Sequence, residues 1–264
     1  VRAVEGKIEE KMHNFLTQAY QLFKRDLVSS SKNLFLSYAW IAITPLLGLL
    51  LIAFLKARGI LNIPDTTTPY LWFLVFNYAH WRLLKSILSI PSVSLKVYAN
   101  SMLRLPLAFE GYLLYHLMKS LLDYFIRLIP LIFISIYFSY TPDGSYFLYL
   151  LGLVSLITIG IGIGFFVSPM QLFIADFGKL WGTIIPGLIF LCPVFYPMPA
   201  YDGFGIIVHL NPLALPIHLT QGLLGDIPLL SISYINGMLA FSVIMLAIGL
   251  INFKKSANII NQLQ

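Results

Sequence analysis

Long apolar stretches alternate with short polar ones along most of this 264-residue chain. Five runs approach the length of roughly 20 residues that carries a helix across a bilayer. They cover about Leu34 to Leu55, Tyr70 to Ile90, Leu107 to Phe138, Tyr146 to Val167 and Ile232 to Phe253. A sixth run ends near Phe195, after a short polar loop holding Asp176 and Lys179. Ahead of all of them, Phe15, Leu16, Ala19, Leu22, Phe23 and Leu27 recur at helical spacing between Asn14 and Val28. Lys24, Arg25 and Asp26 follow on its polar side, so the stretch reads as a cationic amphipathic helix lying in the membrane interface. An ordinary solvated helix is the alternative. Residues 1–13 are charged and expected to be mobile.

Proline and glycine punctuate the pattern. Pro45 is expected to bend the first span. The second ends among Arg82, Lys85 and Pro91, and a loop from Ser92 to Pro106 follows, with Lys96 and Arg104 in it. Thr141-Pro142-Asp143-Gly144 predicts a tight turn, which makes the fourth span antiparallel to the third. Between residues 196 and 230 stand Pro197, Pro199, Pro212, Pro216 and Pro228, with apolar pieces too short to cross. These predict re-entrant helices whose backbone is covered by protein or water. The expected fold is therefore all-α and polytopic. Residues 1–33 form a cytoplasmic amino-terminal region with the interface helix, and residues 34–264 form a six-span transmembrane domain with its re-entrant segment at about 196–230.

Composition sharpens this picture. Hydrophobic residues make up 58% of the chain and charged ones only 11%, against about 25% charged in soluble domains. The single cysteine, Cys192, excludes an internal disulfide and a cysteine-based metal centre. The net charge of +6 sits mostly beside apolar runs, which suits topology rather than nucleic-acid binding. No cleavable signal peptide is recognised in the first 35 residues, so the first span is expected to act as the insertion signal. Val1 opens the sequence, and the start of the gene product is expected upstream of it. Lys and Arg collect in the amino-terminal region, in the 92–106 loop and at Lys179, Lys254 and Lys255, whereas the opposite side has Lys56 and Arg58 at its edge and none in loops 139–145 and 196–230. Both termini are thus expected in the cytoplasm.

Motifs for covalent chemistry or nucleotide hydrolysis are missing from the sequence. There is no phosphate-binding loop, and Gly160-Ile161-Gly162-Ile163-Gly164 reads as small residues for close helix packing. His209 and His218 lie in the proline-rich segment without convincing partner ligands, and no metal site is expected. Lys119, Asp123 and Arg127 are more informative, because their i, i+4, i+8 spacing puts them on one face of the third span. Charges at such depth face a bundle interior, a cavity or one another. Mutual neutralisation and a pathway role both fit. Tyr38, Trp40, Tyr112, Tyr115 and Tyr124 are aromatic candidates for lining a path, since their rings can stack on the C–H faces of sugars.

The order of these parts resembles the ABC-2 type permeases, especially those that export O-antigen, capsular polysaccharide or teichoic acid. Three stretches carry the likeness. The first is Leu22-Phe23-Lys24-Arg25-Asp26-Leu27, followed by Trp40 and Pro45. The second is Ile174-Ala175-Asp176-Phe177-Gly178-Lys179-Leu180. The third runs from Pro193-Val194-Phe195-Tyr196 to Leu210-Asn211-Pro212-Leu213. Two departures stand beside them: Ser29-Ser30-Ser31-Lys32 replaces a basic Arg-Tyr segment, and Ala175 replaces the Arg of an Arg-Asp-Ile segment.

The resemblance implies a permease subunit in the bacterial cytoplasmic membrane, paired with a second copy of itself and driven by two cytoplasmic P-loop ATPase subunits. Those partners would bind ATP and Mg; this chain would need no cofactor. A lipid-linked polysaccharide would be the cargo, with membrane lipids around it and no nucleic acid involved. Arg25, Lys96 and Arg104 are then expected at ATPase or lipid-headgroup contacts. Tyr38, Trp40, Tyr112, Tyr115, Lys119, Asp123 and Arg127 become candidates for the substrate path, and Phe195, Tyr196, Asn211 and Pro212 mark the re-entrant segment. The other readings are an ABC-2 permease for a lipid or small molecule, a membrane-embedded enzyme, and an ATPase-independent flippase.

Overall fold

A computed structural model describes residues 2–29, 34–101, 109–199, 203–225 and 231–262. Among these residues all regular structure is helical. The α-helices are α1 (Arg2–Ser29), α2 (Leu34–Ala57), α3 (Tyr70–Ser101), α4 (Phe109–Phe138), α5 (Tyr146–Phe173), α6 (Ala175–Gly187), α7 (Gly203–Leu210), α8 (Ala214–Thr220) and α9 (Ile232–Gln262). Short 3₁₀ turns follow α6 at Leu188–Leu191 and α8 at Gln221–Leu224.

Among the described residues four helices are long and apolar enough to cross a membrane, and they lie in α2, α4, α5 and α9. The pair Gly203–Leu210 and Ala214–Leu224, bent by 90°, makes a fifth if taken as one broken span. The chain is thus a helical membrane protein. The outward faces agree with that, since Phe133, Ile136 and Tyr137 of α4, Phe147 of α5 and Val243 of α9 are all largely exposed. Lipid tails can cover such surface, whereas water could not.

Several boundaries differ from expectation. The first helix begins at Arg2 rather than Asn14, because the stretch Ala3-Val4-Glu5 through Lys11-Met12 is rich in good helix formers and lacks proline. The expected loop from Ser92 is instead the continuation of α3, which passes through Pro91 to Ser101. Pro91 is accommodated by its neighbour: a Cβ placed on Gly164 of α5 would lie 2.9 Å from the Pro91 ring. Asp176 and Lys179 occupy the start of α6, not a loop, since only Ile174 breaks the path between α5 and α6.

The bundle is organised around α5. A Cβ on Gly162 would meet the α9 backbone at Leu246 N, 2.7 Å away, and one on Gly152 would meet the α8 backbone at Thr220 N, 2.5 Å away. Gly160 similarly faces Ile87 of α3. Small residues therefore let three partners approach α5 closely. Along its length α3 buries Leu74, Phe76, Leu83, Leu84, Ile87 and Leu88, with Leu84 and Ile87 at the contact with α5. Further out, α4 packs on α3, and α1 and α2 pack on α4.

Two connections fix the remote end. The α4–α5 turn is pinned to the α8 end by Gly144 N to Leu223 O (3.1 Å) and Ser145 N to Gly222 O (2.7 Å). At the α7–α8 bend, Asn211 takes up the turn that Pro212 demands. Its Oδ1 accepts from Leu213 N at 3.0 Å, and its Nδ2 donates to Leu191 O at 2.8 Å.

Candidate functional site

The charged face of α4 opens into two cavities of about 170 Å³ each, and Lys119 and Asp123 line both. One lies between α4, α1 and α2 and adds Asp26 and Tyr38. The other lies toward α3 and adds Ser86, Ser89 and His116. Lys119 donates to Asp26 Oδ2 at 2.5 Å, tying α4 to α1. Donation from Lys119 holds the Asp26 carboxyl below the usual carboxylate range, against partial burial, which pushes it up. The Tyr115 hydroxyl also reaches this carboxylate.

The ladder read from sequence is thus not closed by pairing within α4. Lys119 reaches across to α1, while Asp123 and Arg127 form no ion pair within 4.0 Å among the described residues. Tyr38, Lys119 and Asp123 do come together at these cavities, and Tyr115 reaches the Asp26 carboxylate that lines one of them. Arg127 is half-buried on the same helix. Trp40 points outward and is 54% exposed, which suits a lipid contact, and Tyr112 is buried. Arg25 and Lys96 are exposed on α1 and α3. Arg104 lies outside the described residues.

A second group of polar side chains runs through the middle of the bundle, and sequence reading missed most of it. Nδ1 of His80 faces the Phe76 carbonyl at 2.8 Å, so it carries the proton, and Nε2 is left to accept from Tyr124 Oη at 2.8 Å. Tyr149 in turn donates to Tyr124 Oη at 2.9 Å. One turn away on α3, Asn77 Oδ1 accepts from Gln221 Nε2 at 3.0 Å, and the same amide donates to Pro193 O at 2.7 Å. His218 Nδ1 donates to Gln221 Oε1 at 3.2 Å. Asn77, His80, Gln221 and His218 are all buried. The available signal was the i, i+3 spacing of Asn77 and His80 in an apolar run, since such groups persist in a bundle only when hydrogen-bonded.

Ahead of α7, Phe195 O accepts from the Tyr70 hydroxyl at 2.7 Å, and Tyr196 donates to Phe190 O at 2.7 Å. Pro212 is half-buried beside Asn211. His209 meets Pro199 O through Nε2, and Tyr234 donates to the His209 carbonyl. Among the described residues no three His, Cys, Asp or Glu side chains gather to hold a metal ion.

Comparison of the sequence with protein-family models matches none of them, and comparison with curated proteins finds no match either.

Proposed function

We propose that this chain is the membrane-spanning permease subunit of an ABC transporter that exports a lipid-linked polysaccharide across the bacterial cytoplasmic membrane. It works as a homodimer with two cytoplasmic P-loop ATPases, both termini on the ATPase side. The observation that supports this most is that α1 packs on α4 while the turn after α4 is bonded to the segment that follows α8. An interface helix is joined to a span through Asp26 and Lys119, and the α7–α8 pair, bent by 90°, is followed by a 3₁₀ turn hydrogen-bonded to the turn after α4. A movement imposed on α1 is transmitted through that pair to α4, whose charged face borders two cavities.

Six spans follow from the same reading. α3 counts as the second: its Asn77, His80, Arg82 and Lys85 lower its hydropathy, yet most of that helix is buried in the bundle. α6 with its 3₁₀ turn counts as the fifth, at roughly 27 Å by helical rise, close to the ~30 Å of a hydrocarbon core.

Mild-detergent purification of the tagged chain from its native cells, with mass spectrometry of what co-purifies, tests the proposal. A stoichiometric P-loop ATPase is expected. Its absence from an intact, folded preparation would overturn the transporter reading and favour an embedded enzyme or a flippase.

A further inference from the structure

Every Lys and Arg inside the six apolar runs belongs to one helix pair: Arg82 and Lys85 stand on α3, Lys119 and Arg127 on α4. The two helices are held in register there by the Ser86 and Ser120 hydroxyls, 2.6 Å apart. Arg82 lies within electrostatic reach of Lys85, Asp123 and Arg127. Four cations thus face two carboxylates, Asp123 on α4 and Asp26 on α1. Lys119 pairs with Asp26, but among the described residues Arg82, Lys85 and Arg127 form no ion pair within 4.0 Å. All three are half-buried, a setting in which unmatched charge is costly.

The spans themselves cannot supply the missing negative charge. Glu110 and Asp123 are the only acids in the six runs, and Glu110 sits in the first turn of α4, about 14 Å along the helix from Lys119. A second copy of the chain would bring the same excess of cations rather than offset it. The counter-charge therefore comes from outside the protein.

Depth sets where it can come from. Tyr137 is 82% exposed, and Trp72 and Tyr140 stand in edge contact, so these aromatics mark one membrane interface. A hydrocarbon core of ~30 Å at ~1.5 Å per helical residue puts the other interface close to Lys119 on α4 and Ser92 on α3. The cavity of about 170 Å³ between α3 and α4 lies at that level, with Ser89, Val93, His116 and Lys119 in its lining. Arg82 and Lys85 lie about two to three turns deeper, and their long stems can extend back toward the interface.

A headgroup phosphate fits this setting. Lys119 keeps two ammonium protons after bonding Asp26, and one hydroxyl of the Ser86–Ser120 pair remains a donor. Val93, 41% exposed, offers apolar surface to an acyl chain. Asp123 does not exclude an anion, because Arg127, Lys119 and Arg82 all act on its carboxylate. Basic pockets between spanning helices commonly hold anionic headgroups. We propose that the α3–α4 cleft beside Lys119 binds the phosphate of an anionic glycerophospholipid from the surrounding leaflet, as a resident lipid. The site does not depend on the transport reading.

Native mass spectrometry of the full chain, delipidated in a neutral detergent, tests it with dioleoylphosphatidylglycerol as probe and dioleoylphosphatidylcholine as control. Phosphatidylglycerol is expected to be retained about tenfold better or more. Arg82→Gln and Lys85→Gln should each weaken its retention about fivefold. Lys254→Gln, which alters an exposed lysine of α9, should leave it unchanged. Asp123→Asn should strengthen it, a gain that misfolding cannot imitate. Equal retention of the two lipids, no loss in Arg82→Gln and Lys85→Gln, an equal loss in Lys254→Gln, or a loss in Asp123→Asn would each overturn the site. Displacement of the lipid by millimolar inorganic phosphate would do so as well, by assigning a free anion instead. A co-purifying ATPase without this lipid preference removes the lipid site alone, and the preference without an ATPase removes the transporter reading alone.

Discussion

Tyr124 of α4 donates its phenolic proton to Nε2 of His80 on α3, and neither side chain is more than 1% exposed. The pair is held from both flanks, by the Phe76 carbonyl behind the imidazole and by the Tyr149 hydroxyl behind the phenol. Three helices are thereby bonded through side chains inside an otherwise apolar core.

Tyr124→Phe removes the middle of that chain and leaves His80 Nε2 without its donor. Hydrogen bonds between membrane helices average about 0.6 kcal/mol, with a maximum near 1.7, and an orphaned buried acceptor costs about 1–3. A fall in melting temperature in detergent is expected. The double variant Tyr124→Phe with His80→Leu should recover part of the loss, because it removes the stranded acceptor as well. Thermal unfolding of the three proteins side by side checks this.

The Asp26–Lys119 pair has a defined response to acid. Its carboxyl titrates below the ordinary value in the folded protein. Its stabilising contribution is therefore complete above the unfolded carboxylate pKa of ~3.9 and is lost only as pH falls through the lower folded value. Hydrogen exchange of α1 amides, corrected for the intrinsic dependence of exchange on pH, should show equal protection at pH 8 and pH 5. Both groups are partly exposed, so Asp26→Asn should lower global stability by only about 0–1 kcal/mol. Its larger effect should be to raise exchange in α1.

Gly162 and Gly48 should behave in opposite ways. At Gly162 an added methyl meets the α9 backbone, which cannot turn aside as a side chain can. Gly162→Ala should cost about 1–3 kcal/mol through overpacking. Nothing lies within 4 Å of the corresponding position at Gly48, so Gly48→Ala should change stability by less than about 1 kcal/mol. Fluorescence-detected size exclusion after a heating series distinguishes the two.

Gln221→Glu keeps the size of the side chain but exchanges a two-proton donor for an acceptor facing Asn77 Oδ1 and Pro193 O. The variant should melt lower than the native chain, and by more at pH 8 than at pH 5, because a protonated carboxyl restores one donor. A shift of equal size at both pH values would count against this account of the bond.

The parts of this fold that were legible in the sequence depend on local composition. The runs that became α2, α4, α5 and α9 announced themselves by length and apolarity, and the amphipathic spacing from Phe15 to Leu27 lies within α1. The close packing read from Gly160, Gly162 and Gly164 was local as well, since a missing side chain needs no partner to be noticed. What escaped reading depended on pairs. Pro91 looked like a helix end because its accommodation by Gly164 is a tertiary contact. Lys119 looked like a partner for Asp123, four residues away, because Asp26 is 93 positions distant. The Asn77–Gln221 bond joins two polar residues that each looked incidental in isolation.

That bond also orders events during biosynthesis. Gln221 follows Asn77 by 144 residues, so α3 has left the ribosome long before its polar face can be matched. Helices α7 and α8 contain eight and seven residues, too few to partition into lipid as they emerge. A nascent chain stalled before residue 221 would therefore hold Asn77 Oδ1 in the membrane without its Gln221 donor.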